Sequence, residues 1–146
     1  TCRLPGSPPS WWPLSVLRRR YAMKVGTVDA NGEALVPLTV ERLGSGGEQR
    51  EVTALLDTGF NGFLALPPEL IDVLGVEQLS REQYMTASGA MHFTGIYEAV
   101  IIFGGRRLVV DEIVEAAEPL VGVGLLWEFK VCLGYREGGD VTLEEF

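Results

Sequence analysis

The sequence predicts an all-β domain, mainly antiparallel and barrel-like, with one or two short helices. Three observations predict it. Short runs rich in valine, leucine and isoleucine recur along most of the chain. Glycine punctuates them, 18 in 146 residues, often as Asn-Gly or Gly-Gly pairs that suit tight turns. The first three runs follow one another through such turns, the pattern of an antiparallel meander.

A chain of 146 residues fits one domain that buries roughly two-thirds of its unfolded surface. An apolar fraction of 47% excludes disorder throughout. The formal charge of −8 speaks against a nucleic-acid partner, which would need a basic face. The one basic cluster is Arg18-Arg19-Arg20. Cys2 and Cys132 are too few and too far apart for a disulfide framework or a zinc site. With a single histidine as well, neither a metal nor another cofactor is expected, and a reducing, cytoplasmic compartment fits best. No apolar run approaches the ~20 residues that span a bilayer, so no membrane partner is expected.

Residues 1–22 read as a flexible extension, broken by Pro5, Pro8, Pro9 and Pro13, with the folded domain over residues 23–146. The arginines follow the apolar residues rather than precede them, which is not the order of a secretory signal. From Lys24 the elements come in sequence. Lys24–Asp29 is a strand, Ala30-Asn31-Gly32 a hairpin turn, Ala34–Leu43 a strand in which Pro37 marks an edge or bulge, and residues 44–47 a second turn. Glu48–Leu56 returns as the third strand. Phe63–Leu66 is a short strand. Pro67-Pro68-Glu69 opens a short helix that Gly75 closes, because proline fits the first helical position and glutamate favours the dipole there. Arg81–Gly95 is a half-packed hairpin with its tip near Ser88-Gly89. Ile96–Phe103 and Arg106–Val114 pair across Gly104-Gly105, residues 116–119 form a loop, and the second half of Leu120–Trp127 forms a short helix. Phe129–Tyr135 and Val141–Leu143 are the last strands. Trp127 is expected to anchor the short helix in the core, Met85 and Met91 to pack the hairpin, and Cys132 to sit buried as a small hydrophobe.

Chemistry narrows to one stretch, Val52-Thr-Ala-Leu-Leu-Asp-Thr-Gly-Phe-Asn-Gly-Phe63. The chain lacks G-x-S-x-G, a phosphate loop and a strand-to-helix G-x-G-x-x-G, so a nucleophilic triad or nucleotide site is poorly supplied. Asp57 alone among the acids emerges from an apolar strand, where a carboxylate is costly to desolvate unless it is used. Thr58 adds a hydroxyl and Gly59 an unobstructed backbone N–H.

Ala54-Leu55-Leu56-Asp57-Thr58-Gly59 resembles the active-site motif of the retropepsin-like aspartic proteases. Leu120-Val121-Gly122, followed by Leu125-Leu126, is similar to the second hallmark of that clan. The order of elements from Lys24 onward matches, and Asp57-Thr58-Gly59-Phe60 resembles small prokaryotic members. The resemblance implies a closed barrel with a flap hairpin, and an aspartic endopeptidase that hydrolyses polypeptide without a cofactor. It makes Asp57 catalytic, with Thr58, Gly59, Leu120, Val121 and Gly122 supporting its loop. Thr58 would bond across a dimer. Thr86, Ala87, Ser88, Gly89 and Ala90 would be the flap tip over the substrate, and Phe60 a subsite candidate. His92 is expected on a strand near the flap. Only one Asp-Thr-Gly is present and the chain is too short for two lobes, so a working site implies a C2 homodimer that sets Asp57 against its symmetry mate. The rival reading is a non-proteolytic dimeric peptide-binding or scaffold domain that keeps the fold.

Overall fold

The computed structural model describes residues 10, 11, 13, 22–44 and 48–146. The expected extension and the 44–47 turn fall mostly outside them. Of the extension, Trp11 is exposed and Ala22 is already buried.

The first two strands, β1 (Met23–Val28) and β2 (Ala34–Glu41), pair antiparallel from Val28 opposite Ala34. Their connection is longer than the two-residue turn the Asn-Gly pair predicts. Asp29 is the reason: its Oδ1 accepts the N–H groups of Asn31 and Glu33, both at 2.9 Å, and rounds off a wider loop. β2 then pairs with β3 (Gln49–Leu56) over seven residue pairs, Leu35 to Glu41. Both strands alternate buried and exposed residues, so Val36, Leu38 and Val40 line one face with Val52, Ala54 and Leu56.

After the Asp57 loop comes β4 (Leu64–Leu66), buried throughout, and then helix α1 (Pro68–Leu74). Gly75 stops α1, donating its N–H to the Ile71 carbonyl at 3.0 Å, while Ile71 and Leu74 face inward. Two long strands follow, β5 (Glu77–Met85) and β6 (Met91–Phe103), and then β7 (Arg106–Glu115). The hairpin of β5 and β6 starts at Glu77, earlier than the sequence pattern indicates. The two-residue strand β8 (Leu120–Val121), the single turn α2 (Val123–Leu126), β9 (Phe129–Leu133) and β10 (Asp140–Glu145) complete the chain.

These strands form one sheet in the order β5-β6-β7-β4-β8-β3-β2-β1-β10-β9, and β2 also pairs with β6. That pairing closes β6-β7-β4-β8-β3-β2 into a ring, with β5 free to extend beyond it and β1-β10-β9 as a flange. The all-β, barrel-like expectation holds. It is mostly antiparallel, but β3 with β8 and β4 with β7 run parallel. Leu64, Ile113 and Val121 lie inside with no exposed surface. Each contributes about 1.5–3 kcal/mol of burial, so the wall that carries the Asp57 loop is rigid.

Three smaller expectations differ. Trp127 is 67% exposed, because α2 is a single turn that ends before it and the chain turns outward. Met85 and Met91 are 66% and 47% exposed, since the hairpin carrying them stands clear of the ring. Cys132 is half-buried in β9 and disulfide-bonded, where a buried thiol was expected.

Candidate active site

Asp57 lies one residue past the end of β3, where the apolar strand reaches the rim of the ring. Its position follows from β8, which inserts between β3 and β4. Leu120 and Val121 pair parallel with Leu55 and Leu56 and antiparallel with Ala65 and Leu64. The Leu55 N–H donates to the Pro119 carbonyl and the Asp57 N–H to the Val121 carbonyl, both at 2.9 Å. Three strands thus fix the backbone on which the carboxylate stands.

The loop itself is bonded back to β8 and α2. Phe60 N–H donates to the Asp57 carbonyl at 3.2 Å and closes the turn. Gly122, Val123 and Gly124 donate their N–H groups to the carbonyls of Phe63, Phe60 and Gly62 at 3.0, 2.9 and 2.9 Å. Gly122 is required here by proximity. A Cβ on it would collide with the Gly62 carbonyl and sit 2.7 Å from the Phe60 ring and 2.8 Å from the Phe60 carbonyl. Two of those neighbours are backbone and cannot give way.

The Asp57 side chain is half-buried. Its Oδ1 accepts the Gly59 N–H at 2.9 Å, a charge-assisted bond that fixes the plane of the carboxylate. Among the described residues no hydrogen bond reaches Oδ2. Thr58 and Gly59 are exposed on the turn. A carboxylate held by one oxygen and offering the other can accept a proton from a water or share one with a second carboxylate.

The flap expectation meets a hairpin whose strands run from Met85 opposite Met91 back to Glu77 opposite Glu98. Its tip is the turn 86–90. The N–H of Thr86 donates to the Ala90 carbonyl and that of Gly89 to the Thr86 carbonyl, both at 2.9 Å. The Thr86 and Ser88 hydroxyls are 2.9 Å apart. Ala87, Ser88, Gly89 and Ala90 are exposed, as are the hairpin's Met85, Met91 and Phe93. Arg81 lies 5.5 Å from the centroid of the Phe93 ring.

No protein-family model matches the chain, and no curated protein matches its sequence. Among solved structures it is similar to the crystal structure of a retropepsin-like aspartic protease from Rickettsia conorii. The TM-score is 0.56 at 16% sequence identity, over 84% of this chain and 90% of that one. The fold is retropepsin-like.

Within this retropepsin-like fold Leu120, Val121 and Gly122 lie beside the Asp57-Thr58-Gly59 turn through the β3–β8 pairing and the backbone bonds to Phe60 and Phe63. Phe60 does not stand apart: its ring lies against Gly62 and the Gly122 backbone, as part of the seat of the loop. The tip residues 86–90 sit on a separate hairpin, and no hydrogen bond joins them to the Asp57 loop among the described residues. Sequence reasoning missed two contributors. Phe63 packs its ring on Gly124, with Cδ1 2.7 Å from where a Cβ would stand, and so locks α2 to the loop. Glu115, at the end of β7, accepts the Gly95 N–H at 2.7 Å and the Thr94 hydroxyl at 3.0 Å. Neither carries a local signal, since both act through contacts more than fifteen residues away. Among the described residues no three of His, Cys, Asp and Glu gather into a metal-binding group, and no helix is long and apolar enough to cross a membrane.

Proposed function

We propose that the chain is an aspartic endopeptidase that works as a C2 homodimer, with one Asp57 from each copy forming the catalytic pair. The observation that carries this reading is the Asp57 carboxylate. A three-strand seat holds it at the rim of a retropepsin-like ring, one oxygen bound to Gly59 N–H and the other without a hydrogen bond among the described residues. Each chain offers one such group, so the reading requires a second copy.

Two carboxylates a few ångströms apart cannot both ionise and share one proton. A water held between them loses a proton to the ionised one as it attacks the peptide carbonyl carbon. The protonated one gives its proton to the carbonyl oxygen. The tetrahedral diol then collapses: one hydroxyl gives its proton to the ionised carboxylate, the C–N bond breaks, and the leaving amine takes the proton of the protonated one, so the pair again shares a single proton. No covalent intermediate forms. The hairpin of β5 and β6 serves as the flap, covering the peptide and excluding water. An extended peptide beneath it pairs through its backbone. Thr58 bonds between the copies.

Uncovered apolar surface beside the loop supports the second copy. A groove lined by Val123, Leu126, Trp127, Glu128, Phe129 and Phe146, apolar but for Glu128, adjoins α2, with Trp127 67% and Phe146 86% exposed. The test is the solution mass of the chain together with peptide-library cleavage from acidic to neutral pH, beside Asp57→Asn. Cleavage is expected in the wild type and a loss of at least about 100-fold in the variant. Cleavage that persists in Asp57→Asn overturns the mechanism. A strict monomer that cleaves nothing leaves a peptide-binding domain on the same fold.

A further inference from the structure

The flap leaves the ring at a place where the sheet would otherwise come apart. β6 and β7 pair antiparallel from Phe103 opposite Arg106 to Tyr97 opposite Ile113. Continued by two residues, that register sets Gly95 opposite Glu115. That rung is not part of the ladder: β7 keeps its other edge paired with β4, Leu64, Ala65 and Leu66 opposite Ile113, Val114 and Glu115, while its pairing with β6 ends at Tyr97 opposite Ile113. The Gly95 N–H, two residues beyond the last rung of that ladder, therefore needs another acceptor.

The Glu115 side chain supplies it. Its Oε2 accepts the Gly95 N–H at 2.7 Å and the Thr94 hydroxyl at 3.0 Å, in a part-buried setting. The Tyr97 ring closes the site from one side, lying over Gly95 so tightly that a Cβ there would overlap it. Burial pushes the Tyr97 phenol up, the charges of Glu115 and Asp72 add to this, and Arg81 opposes it. One carboxylate therefore replaces the missing rung between ring and hairpin. Beyond it, β5 and β6 have only each other until the tip.

We propose that Glu115 is the positioning residue of the flap: its carboxylate clamps the Thr94–Gly95 root and sets how far the hairpin opens over the Asp57 loop. Its effect on turnover rests on the protease reading above; its effect on the hairpin does not. Without the clamp the hairpin pivots from Tyr97, three residues nearer the ring than Thr94, and closes less often on a bound peptide.

The experiment is amide hydrogen exchange on the full chain, wild type against Glu115→Ala, Glu115→Asp and Glu115→Gln, with steady-state kinetics on a cleaved library peptide. Glu115→Ala is expected to speed exchange at Gly95 by about 10- to 100-fold, the effect of losing a hydrogen bond to a charged group. Residues 86–94 follow, while the Asp57 and Gly122 amides keep their protection. KM rises by a similar factor and kcat changes little. Glu115→Asp, one methylene too short to reach Gly95, behaves as Ala, and Glu115→Gln, which keeps an acceptor at full length, restores most of the protection. Unchanged exchange at Gly95 overturns the proposal, as does faster exchange spread over the whole ring. If the wild type cleaves no peptide, the protease reading falls and the exchange pattern alone decides the clamp.

Discussion

At the scale of single residues, Gly122 is the most constrained position near Asp57. The space for its side chain is already taken by the Gly62 carbonyl and by the ring and carbonyl of Phe60. A methyl group there must displace the loop backbone, and with it the rungs from Gly122 to Phe63 and from Val123 to Phe60. Gly122→Ala is expected to lower stability by about 1–3 kcal/mol, the usual range for overpacking, read as a lower urea midpoint at unchanged slope. Activity should fall further than stability, because the strained loop is the one that carries Asp57. An Ala variant as stable as the wild type would mean that the loop and α2 separate readily. Asp57→Asn differs in kind. Asparagine keeps an acceptor for the Gly59 N–H, so the fold survives and only the chemistry is lost.

At the scale of elements, the β6–β7 hairpin is tied to the C-terminal strands by Arg106. Its guanidinium lies 3.8 Å from the centroid of the Phe129 ring, donates to the Trp127 carbonyl at 3.0 Å and stands 3.5 Å from Glu145. One planar group thus serves β9, β10 and the end of α2. Lysine keeps the charge but cannot stack and donate together. Arg106→Lys is therefore expected to cost about 0.5–2 kcal/mol, seen as an earlier thermal transition, with no rescue over Arg106→Ala beyond the Glu145 contact. Equal stability of Arg106→Lys and wild type would show that charge alone suffices. The same scale explains what the sequence discloses. The Asp57 loop and β8 are legible because their residue types are fixed locally: an apolar run, an acid, small residues and a close-packed glycine. The start of β5 is not, since Glu77-Gln78-Leu79-Ser80 has no apolar alternation and is a strand only because β6 runs beside it. The insertion of β8 between β3 and β4 is legible through Leu120-Val121-Gly122, yet its parallel pairing is set by the return path of the chain. Glu115 looks like any acid at a strand end, and its task appears only when the registers of β6, β7 and β4 are laid side by side. Trp127 deceives for a related reason, because a four-residue helix has too short a period to say which way the next side chain turns.

At the scale of the whole molecule, pairing and folding respond to acid in opposite directions. Each chain carries a formal charge of −8, so the two copies of the proposed dimer would repel on approach. Protonating surface carboxylates or adding salt weakens that repulsion, and the proposed dimer should tighten under either change. Specific activity should then depend on enzyme concentration, falling on dilution through the dissociation constant and falling later at acidic pH than at neutral pH. Folding runs the other way through Glu41. It is 8% exposed and paired with Arg107, whose hydrogen bond holds the carboxyl below its ordinary range; desolvation opposes the shift, and Arg107's charge and Gln49 add to it. Because the folded state binds this proton less readily than the unfolded chain, the pair contributes its full stability above the ordinary glutamate range. That contribution is lost as pH falls through the lowered folded value. Urea midpoints of the wild type and Glu41→Gln, measured from neutral to strongly acidic pH, should differ most at neutral pH and converge in acid. A gap that stays constant with pH would remove Glu41 as the acid-sensitive pair. If both effects hold, activity peaks in a bounded acidic window. Its neutral side is set by the strength of the proposed dimer, and its acid side by the Glu41–Arg107 contact. Glu41→Gln should then lower stability on the neutral side and leave the acid limit where it is.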